Sequence, residues 1–431
     1  MILSRHPRRA EGLLVSAAFA TALGNNVQLI VGALLMIREQ QTMMAVGWLF
    51  IAVAGPQALL SPFFGRLADR FDRRTLWIGC DVTSAALALG LPLWLAFGGA
   101  PGPGIYSANL GLAIVSALFF PASSALIKER VPADRLRRFN ARYEMGTQAG
   151  MLLSATVGGL SAQAFGAVPL LVFNAGTFMV SALCVAAMGR RPYRAPAAAG
   201  EQAPVPAAPR GPLRVRRFIL LYAQGSVVVT VFNALLPTAV IGELHLGAAT
   251  FGAVDALGCL GFLAATGAYR IVSRRNPDLR IAVVGFLLCN VGLVLQSQFG
   301  IAGYLVGVPL GAFFFGQARI ASRTMLMASV DDASVGRAFG LANGGGLAAT
   351  VGGMFLVATV TDHSDTRYGF AVLAALALLA TLSAGLLLRA PASARPYASA
   401  GAAEASRTRT RAASRRSGSA DSSAGAVRTE A

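Results

Sequence analysis

The chain is short of charge, of histidine and of motifs that carry enzyme chemistry. Only 13% of its 431 residues are charged, against about 25% in a soluble domain, and the mean hydropathy is +0.60. It has three histidines and contains no HExxH, GxSxG or GxxxxGKS/T pattern. These absences argue against a zinc protease, a serine hydrolase and a nucleotide-driven machine, so we expect no enzyme activity.

Neither the cysteines nor the net charge indicates a metal, disulfide or nucleic-acid site. Cys80, Cys184, Cys259 and Cys289 fall inside apolar runs without CxxC or metal-ligand spacing, so we interpret them as packing residues and expect no metal and no cofactor. The net charge is +18, but the arginines lie between apolar runs and not on one soluble face. We therefore expect no nucleic-acid partner.

Long apolar runs are what the chain has in abundance. Twelve stretches come near the 20 residues that cross a bilayer, and 48 glycines suit close packing of membrane helices. The first stretch is too long for a signal-peptide core, so we expect it to be retained. The predicted spans are 13–37, 43–64, 75–98, 105–127, 144–165, 168–188, 217–240, 250–272, 280–299, 301–325, 337–360 and 368–389.

Arginine and lysine predict the orientation of these spans. Of 37 basic residues, only Arg38 and Arg367 fall in connections that this count places outside. Such a bias toward one side is typical of cytoplasmic segments, so it predicts an even number of spans with both termini in the cytoplasm.

The chain divides into two predicted halves of six spans, residues 1–188 and 217–389. Residues 189–216 are rich in Pro and Ala with basic ends, which is typical of a cytoplasmic linker. Residues 390–431 have no aromatic after Tyr397 and predict a disordered, solvated tail, with contact to anionic lipid as the alternative.

A short sequence match indicates that the halves are repeats. Ala155-Thr156-Val157-Gly158-Gly159 in span five recurs as Ala349-Thr350-Val351-Gly352-Gly353 in span eleven, at equivalent positions. Duplicated six-helix halves are typical of secondary transporters, whose substrate site lies near the bilayer midplane between them.

The connection after span two is the most specific motif. Residues 65–74 read GRLADRFDRR and hold six charges between two apolar runs. The order Gly-x-x-x-Asp-Arg-x-x-Arg-Arg resembles the signature loop between helices two and three of the major facilitator superfamily of secondary transporters. One departure is Asp72, which stands where the family has a second glycine. The alternative interpretation is ordinary charge on the cytoplasmic side.

That resemblance implies a conformational latch. A carboxylate in the loop can pair with an arginine and lie at a helix N-terminus, where the dipole favours an anion. If the pairing forms in one conformation only, it biases the equilibrium between inward-facing and outward-facing states. By resemblance, the latch residues are Gly65, Asp69, Arg70, Arg73 and Arg74.

A second resemblance concerns the branch of the superfamily. The pattern from Pro121 to Ala141, with Phe173-Asn174-Ala175-x-Thr177-Phe178 in span six, resembles macrolide efflux proteins and the enterobactin exporter. It bears on the family and hardly at all on the substrate. From the sequence as a whole we expect a monomeric, twelve-helix secondary transporter of the bacterial plasma membrane. We expect it to export a small amphipathic or natural-product-like molecule and to be driven by protons. The alternatives are a lipid or lysolipid flippase, an importer and, outside transport, a membrane sensor.

Polar residues inside spans are the candidates for substrate binding, with helix–helix hydrogen bonding as the alternative. Two amide clusters lie at the centres of spans one and seven, which line the cavity in this superfamily. Two arginines in the inner half of span ten could attract an anion or extend toward the membrane surface. The candidates are Asn25, Asn26, Gln28, Gln224, Thr230, Asn233, Arg319 and Arg323.

Proton coupling has few candidates. Span four holds no charge where the family often has an arginine, and Ser154-Ala155 replaces the Gly-Pro of drug/proton antiporters. Asp255 in span eight is the first candidate for a proton site. Asp81 and Glu144 are also candidates, although we expect both to pair with cytoplasmic arginines.

Overall fold

A computed structural model describes the backbone of residues 7–40, 43–165, 167–189 and 212–389, and within these ranges there are helices but no strands. The all-helical prediction is confirmed. The helices are α1 (Pro7–Gln40), α2 (Met43–Arg70), α3 (Arg73–Ala96), α4 (Pro101–Arg130), α5 (Leu136–Phe165), α6 (Ala167–Ala186), α7 (Pro212–Pro237), α8 (Ala248–Arg275), α9 (Asp278–Gln296), α10 (Gly300–Ser329), α11 (Val335–Asp362) and α12 (Thr366–Arg389).

Several predicted segments lie outside this description. Most of the linker 189–216 and all of the tail 390–431 are among them, as are the side chains of the first repeat match at 155–159. In the described part, nine helices are long and apolar enough to cross a membrane. The protein is therefore a multi-pass membrane protein.

Local sequence explains where individual helices begin. Asp72 is the N-cap of α3, and its carboxylate accepts the backbone N–H of Thr75 at 3.1 Å. The departure from the family's glycine thus has a structural reason, because an N-cap carboxylate satisfies a free helix donor. Pro101 begins α4, where a missing N–H costs nothing.

The helices pack as two groups joined along two seams. In the first half, α1 packs on α5 and α6, and α3 packs on α4 and α6; in the second half, α10 packs on α8 and α9, and α7 on α11. Between the halves, α2 packs on α11 and α5 packs on α8. We call these the α2–α11 seam and the α5–α8 seam. The contacts along these two seams determine where the candidate site residues lie.

Candidate functional site

The first candidate site lies where α2 ends and α3 begins. We call this the basic end of the bundle; the α4–α5, α8–α9 and α10–α11 connections lie at the same end. Asp69 is buried there, and its Oδ1 and Oδ2 accept the backbone N–H groups of Gly336 and Arg337 at 2.7 and 3.0 Å. These donors belong to the first turn of α11, so the carboxylate of α2 sits at a helix N-terminus of the other half.

Glycines allow α2 and α11 to approach this closely. Gly336, Gly340 and Gly344 recur every fourth residue along one face of α11, the spacing that brings membrane helices into backbone contact. A methyl group on Gly340 would collide with the carbonyl oxygen of Ser61, and one on Gly344 would lie 2.7 Å from the carbonyl oxygen of Ala58. The α2–α11 seam therefore has no room for side chains at these glycines.

Gly65 takes part in the same seam. A methyl group there would collide with the carbonyl oxygen of Gly336. Asn343 adds a direct link, because its Nδ2 donates to Ser61 Oγ at 2.8 Å. Of the five predicted latch residues, Gly65, Asp69 and Arg73 touch the opposite half. The α11 glycines were missed. Their four-residue spacing was visible in the sequence.

The arginines of the loop have different positions. Arg73 is buried; it donates to Ala125 O of α4 at 3.3 Å and to Asp332 O in the α10–α11 connection. Arg74 donates to the last carbonyls of α6, at 3.2 Å to Val185 O and 2.6 Å to Ala186 O. Arg73 therefore links the halves, whereas Arg74 caps a helix in its own half. Arg70 is solvent-exposed.

Lys128 strengthens the link made by Arg73. Its Nζ donates to Val330 O, just after α10 ends, and lies 3.6 Å from Asp332 Oδ1. The α10–α11 connection is therefore held by two cations of the first half, and the sequence had not indicated Lys128 as a site residue.

The α5–α8 seam carries its own charged contacts at the basic end. Arg137 Nε donates to Asp278 Oδ2 at 2.9 Å, and Tyr269 OH donates to the other oxygen of the same carboxylate at 2.9 Å. Deeper in, Arg323 Nη1 donates to Glu144 Oε1 at 3.2 Å, with side chains 4% and 9% exposed. Glu144 was expected to pair with a cytoplasmic arginine; its partner is instead Arg323, which is buried inside α10 of the other half.

Aromatic rings surround these deeper arginines. Arg323 lies 4.3 Å from the centre of the Tyr143 ring, and Arg319 lies 4.9 Å from that of Tyr222. Tyr222 packs on Phe339 of α11 at 5.5 Å. Cations and rings of four helices, α5, α7, α10 and α11, are thus packed against one another. Arg319 Nη1 has no hydrogen-bond partner in the described part of the chain.

A second candidate site is a cavity of about 110 Å³ between α5, α7, α8, α9 and α10. Asp255 and Asn233, predicted separately from spans eight and seven, both line it. Gln148 of α5 lies in its wall, and its Nε2 approaches Cys259 Sγ at 3.9 Å. We call this space the Asp255 cavity. Sequence reasoning missed Gln148, which has the polar, mid-helix character of the other candidates.

The remaining amides mostly join helices. Asn26 Nδ2 donates to Ser154 Oγ at 2.8 Å, and Gln28 accepts from Asn174 at 3.0 Å, both within the first half. Gln224 accepts from Thr381 of α12 at 3.2 Å. None of these lines the Asp255 cavity. Asn25 and Thr230 are partly exposed and lie outside that lining as well.

Asp81 does not pair with an arginine in the described part of the chain, so that expectation is wrong. The carboxyl is 1% exposed between α3 and α6, next to Ser181 and Trp77. The α3–α6 contact buries this face of α3, which turns Asp81 away from the basic loops. It lies inside the first half, on a helix that packs on α4 and α6.

The seams and the cavity define a class: a helical membrane transporter built from two packed halves. The family profile of the Major Facilitator Superfamily matches residues 14–343, so the chain belongs to that superfamily. The family indicated by the loop at 65–74 is therefore confirmed.

Curated relatives are similar over parts or most of their length. Multidrug resistance protein MdtG of Enterobacter lignolyticus is 24% identical over 359 residues, which cover 77% of this chain and 79% of that protein. YfiS of Bacillus subtilis, named an uncharacterized MFS-type transporter, is 26% identical over 41% of this chain and 42% of YfiS. Lysophospholipid transporter LplT of Cronobacter sakazakii is 28% identical over 35% of this chain and 36% of LplT. Two of the three matches therefore span less than half of the relative.

Solved structures share the fold. A bacterial homologue of the iron transporter ferroportin, in an outward-facing state, aligns with a TM-score of 0.72 at 16% identity, over 88% of this chain and 99% of that chain. The human organic anion transporter MFSD10 aligns with a TM-score of 0.70 at 14% identity, over 88% and 99%. At this identity the likeness concerns the fold alone.

Proposed function

We propose that the chain is a secondary exporter that moves a small amphipathic molecule out of a bacterial cell by alternating access. The basic end is the cytoplasmic side of the plasma membrane, as the distribution of arginine and lysine predicts. The described conformation is closed on that side. Residues 1–188 and 217–389 are the two bodies that move relative to each other.

The observation that carries this proposal is that the two halves are joined at the seams by hydrogen bonds and ion pairs. Asp69, Arg73, Lys128 and Arg137 of the first half all bind the second half through hydrogen bonds or ion pairs at the basic end. Such contacts involve no covalent bond and can be replaced by water when the halves separate. They therefore stabilise one state of a reversible equilibrium.

The latch role of Asp69 follows from this geometry. Its two accepted hydrogen bonds and its interaction with the α11 dipole exist only while α2 touches α11. A carboxylate at a helix N-terminus contributes about 0.3–1 kcal/mol at exposed sites and up to about 2 kcal/mol where it is partly buried. Because this contribution is lost when the seam opens, it favours the state that is closed at the basic end.

Export of an amphipathic molecule is supported by the multidrug relative MdtG and by the mainly apolar lining of the Asp255 cavity. We assign proton coupling to Asp255, because it lies in the cavity without a described salt bridge. Glu144 is already neutralised by Arg323 and Asp81 is buried inside the first half, so both are weaker candidates.

The test is accumulation in an efflux-deficient bacterial host with and without the protein. A panel of macrolides, siderophores and fluorescent dyes is measured before and after an uncoupler is added. The proposal predicts lower accumulation of at least one compound, restored by the uncoupler. Unchanged or higher accumulation across the panel contradicts export.

A second function, transport of a lysophospholipid, is favoured by one specific observation. Arg319 presents a guanidinium nitrogen without a hydrogen-bond partner at the centre of the bundle, and an anionic phosphate is a chemical match. The partial similarity to LplT agrees with it. Adding labelled lysophosphatidylethanolamine to the same cells tests it, because uptake that depends on Arg319 supports this function over export.

A further inference from the structure

The charge of the Asp255 cavity has one sign. Among the described residues that line it, Asp255 is the one with a full charge, and they include no arginine, lysine or histidine. The described part of the chain offers this carboxylate neither a salt bridge nor a hydrogen bond. A carboxylate inside a membrane helix is costly unless something compensates it, so it indicates a ligand that carries the opposite charge.

The walls around this carboxylate are aromatic. Phe232, Phe262 and Phe315 line the cavity, and the rings of Phe262 and Phe315 lie 6.2 Å apart. The π faces of such rings attract cations, and their area also buries apolar groups. A carboxylate with phenylalanines therefore suits an organic cation better than a hydrated metal ion, which would need several oxygen ligands.

Side-chain amides supply the other polar groups in the wall of the Asp255 cavity. Gln296 is 3% exposed, and its Nε2 has no hydrogen-bond partner in the described part of the chain. Its side chain lines the cavity together with Asn233 and with Gln148 from the first half. A buried amide donor without a partner is expensive, so it indicates a ligand acceptor or a bound water.

The volume limits what fits in this conformation. A cavity of about 110 Å³ is below the ~150 Å³ that accommodates benzene. In this conformation the cavity therefore has room for a small alkylammonium group and is too small for a whole aromatic ring, so the rest of a larger molecule would extend toward the seam where Gln148 lies.

We propose that the Asp255 cavity binds the cationic group of an aromatic or aliphatic amine, with Asp255 as its counter-ion and Phe232, Phe262 and Phe315 as its apolar walls. The inference rests on the proposed transport function and specifies the substrate class of that site. It assigns Gln296 and Gln148 to orienting the ligand through their amides.

Cys259 provides a local probe, because it lines the cavity one helical turn from Asp255. The full chain is purified with Cys80, Cys184 and Cys289 replaced by alanine, and the rate of Cys259 alkylation by N-ethylmaleimide is measured. Phenyltrimethylammonium is compared with its neutral isostere tert-butylbenzene and with the anion benzenesulfonate. The proposal predicts that the cation slows alkylation and that the anion has no effect.

The variant Asp255→Asn should weaken protection by the cation about tenfold, the effect of losing one favourable charge contact. Asp365→Asn is the matched control, because this carboxylate is exposed and pairs with Arg367 at 2.8 Å outside the cavity. Equal protection by the cation and the neutral isostere in the unmutated site overturns the proposal even if Asp255→Asn does not fold. Full protection in a folded Asp255→Asn variant overturns it too.

The result also separates this inference from the proposed export. Protection by the cation in a protein that lowers no accumulation in cells supports the site and contradicts export. Export of neutral or anionic compounds alone, without protection by the cation, supports export and overturns the cation site.

Discussion

Replacing Gly340 with alanine should open the basic end of the bundle. The new methyl group would collide with the carbonyl oxygen of Ser61 and lie 3.0 Å from the Cα of Gly65. Both contacts are backbone atoms, so no side-chain rotation relieves them. The α2–α11 seam must widen, and this cost applies only to the state in which the seam is closed.

The size of the shift follows from the cost of overpacking. One extra methyl group in a close-packed contact costs about 1–3 kcal/mol. A difference of this size between two states changes their ratio by about 5- to 150-fold. The substitution should therefore move the population toward the state that is open at the basic end, and we expect transport to slow because the return to the closed state becomes unfavourable.

Cysteine labelling measures this shift. Asn140 is fully buried between the halves, where its Nδ2 donates to Thr324 Oγ1 at 3.1 Å. With Asn140→Cys as reporter, a membrane-impermeant maleimide applied from the basic end should react faster when Gly340→Ala is present. Because alanine also raises helix propensity, Gly345→Ala is the matched control: a methyl group there meets no atom of the described residues within 4 Å. Equal labelling rates in the two variants would refute the reasoning.

The other predictions concern single charges. Asp69→Asn should reduce transport with unchanged expression, because an amide loses the charge at the α11 N-terminus, whereas the exposed Asp134→Asn should not; equal transport rates would remove the latch role. Glu144→Gln should destabilise the protein by about 3–5 kcal/mol, since Arg323 stays buried without its partner. Adding Arg323→Met should recover part of that loss in a thermal unfolding assay, and no recovery would contradict the pairing. Asp255→Asn should abolish the pH dependence of transport, and a retained pH profile would exclude Asp255 as the proton site.

The helices were predictable because apolar length is encoded locally. Every predicted span overlaps one described helix, and the charged ends of the helices extend beyond the apolar cores, as in α5, which begins at Leu136 and not at 144. Length and hydropathy report the membrane-buried part alone, so they miss the polar turns that continue a helix outside it.

The kind of contact that Asp69 makes was predictable from the sequence, but the helix with which it makes that contact was not. The loop at 65–74 indicated a carboxylate at a helix N-terminus, but the choice of α11 depends on the packing of two segments about 270 residues apart in sequence. The same limit explains Arg323. Its sequence position suggested an anion-binding group, whereas tertiary packing places Glu144 within 3.2 Å and satisfies its charge inside the protein.

The polar clusters show a different limit. Asn26 and Asn233 had the same status in the sequence, as amides at the centre of a membrane span. Asn26 bonds to Ser154, while Asn233 lines the Asp255 cavity. The direction in which a helix face points depends on its neighbours, and a single sequence without a strong amphipathic pattern does not encode it.

A reversible cross-link across the α2–α11 seam tests the central claim most directly. Ser61 and Asn343 are in hydrogen-bond contact, so Ser61→Cys with Asn343→Cys should form a disulfide that holds the basic end closed. In proteoliposomes, transport of a compound exported by the cells should stop on oxidation and return with a reductant, while each single-cysteine variant stays active. Full transport by the cross-linked protein would contradict alternating access through the basic end.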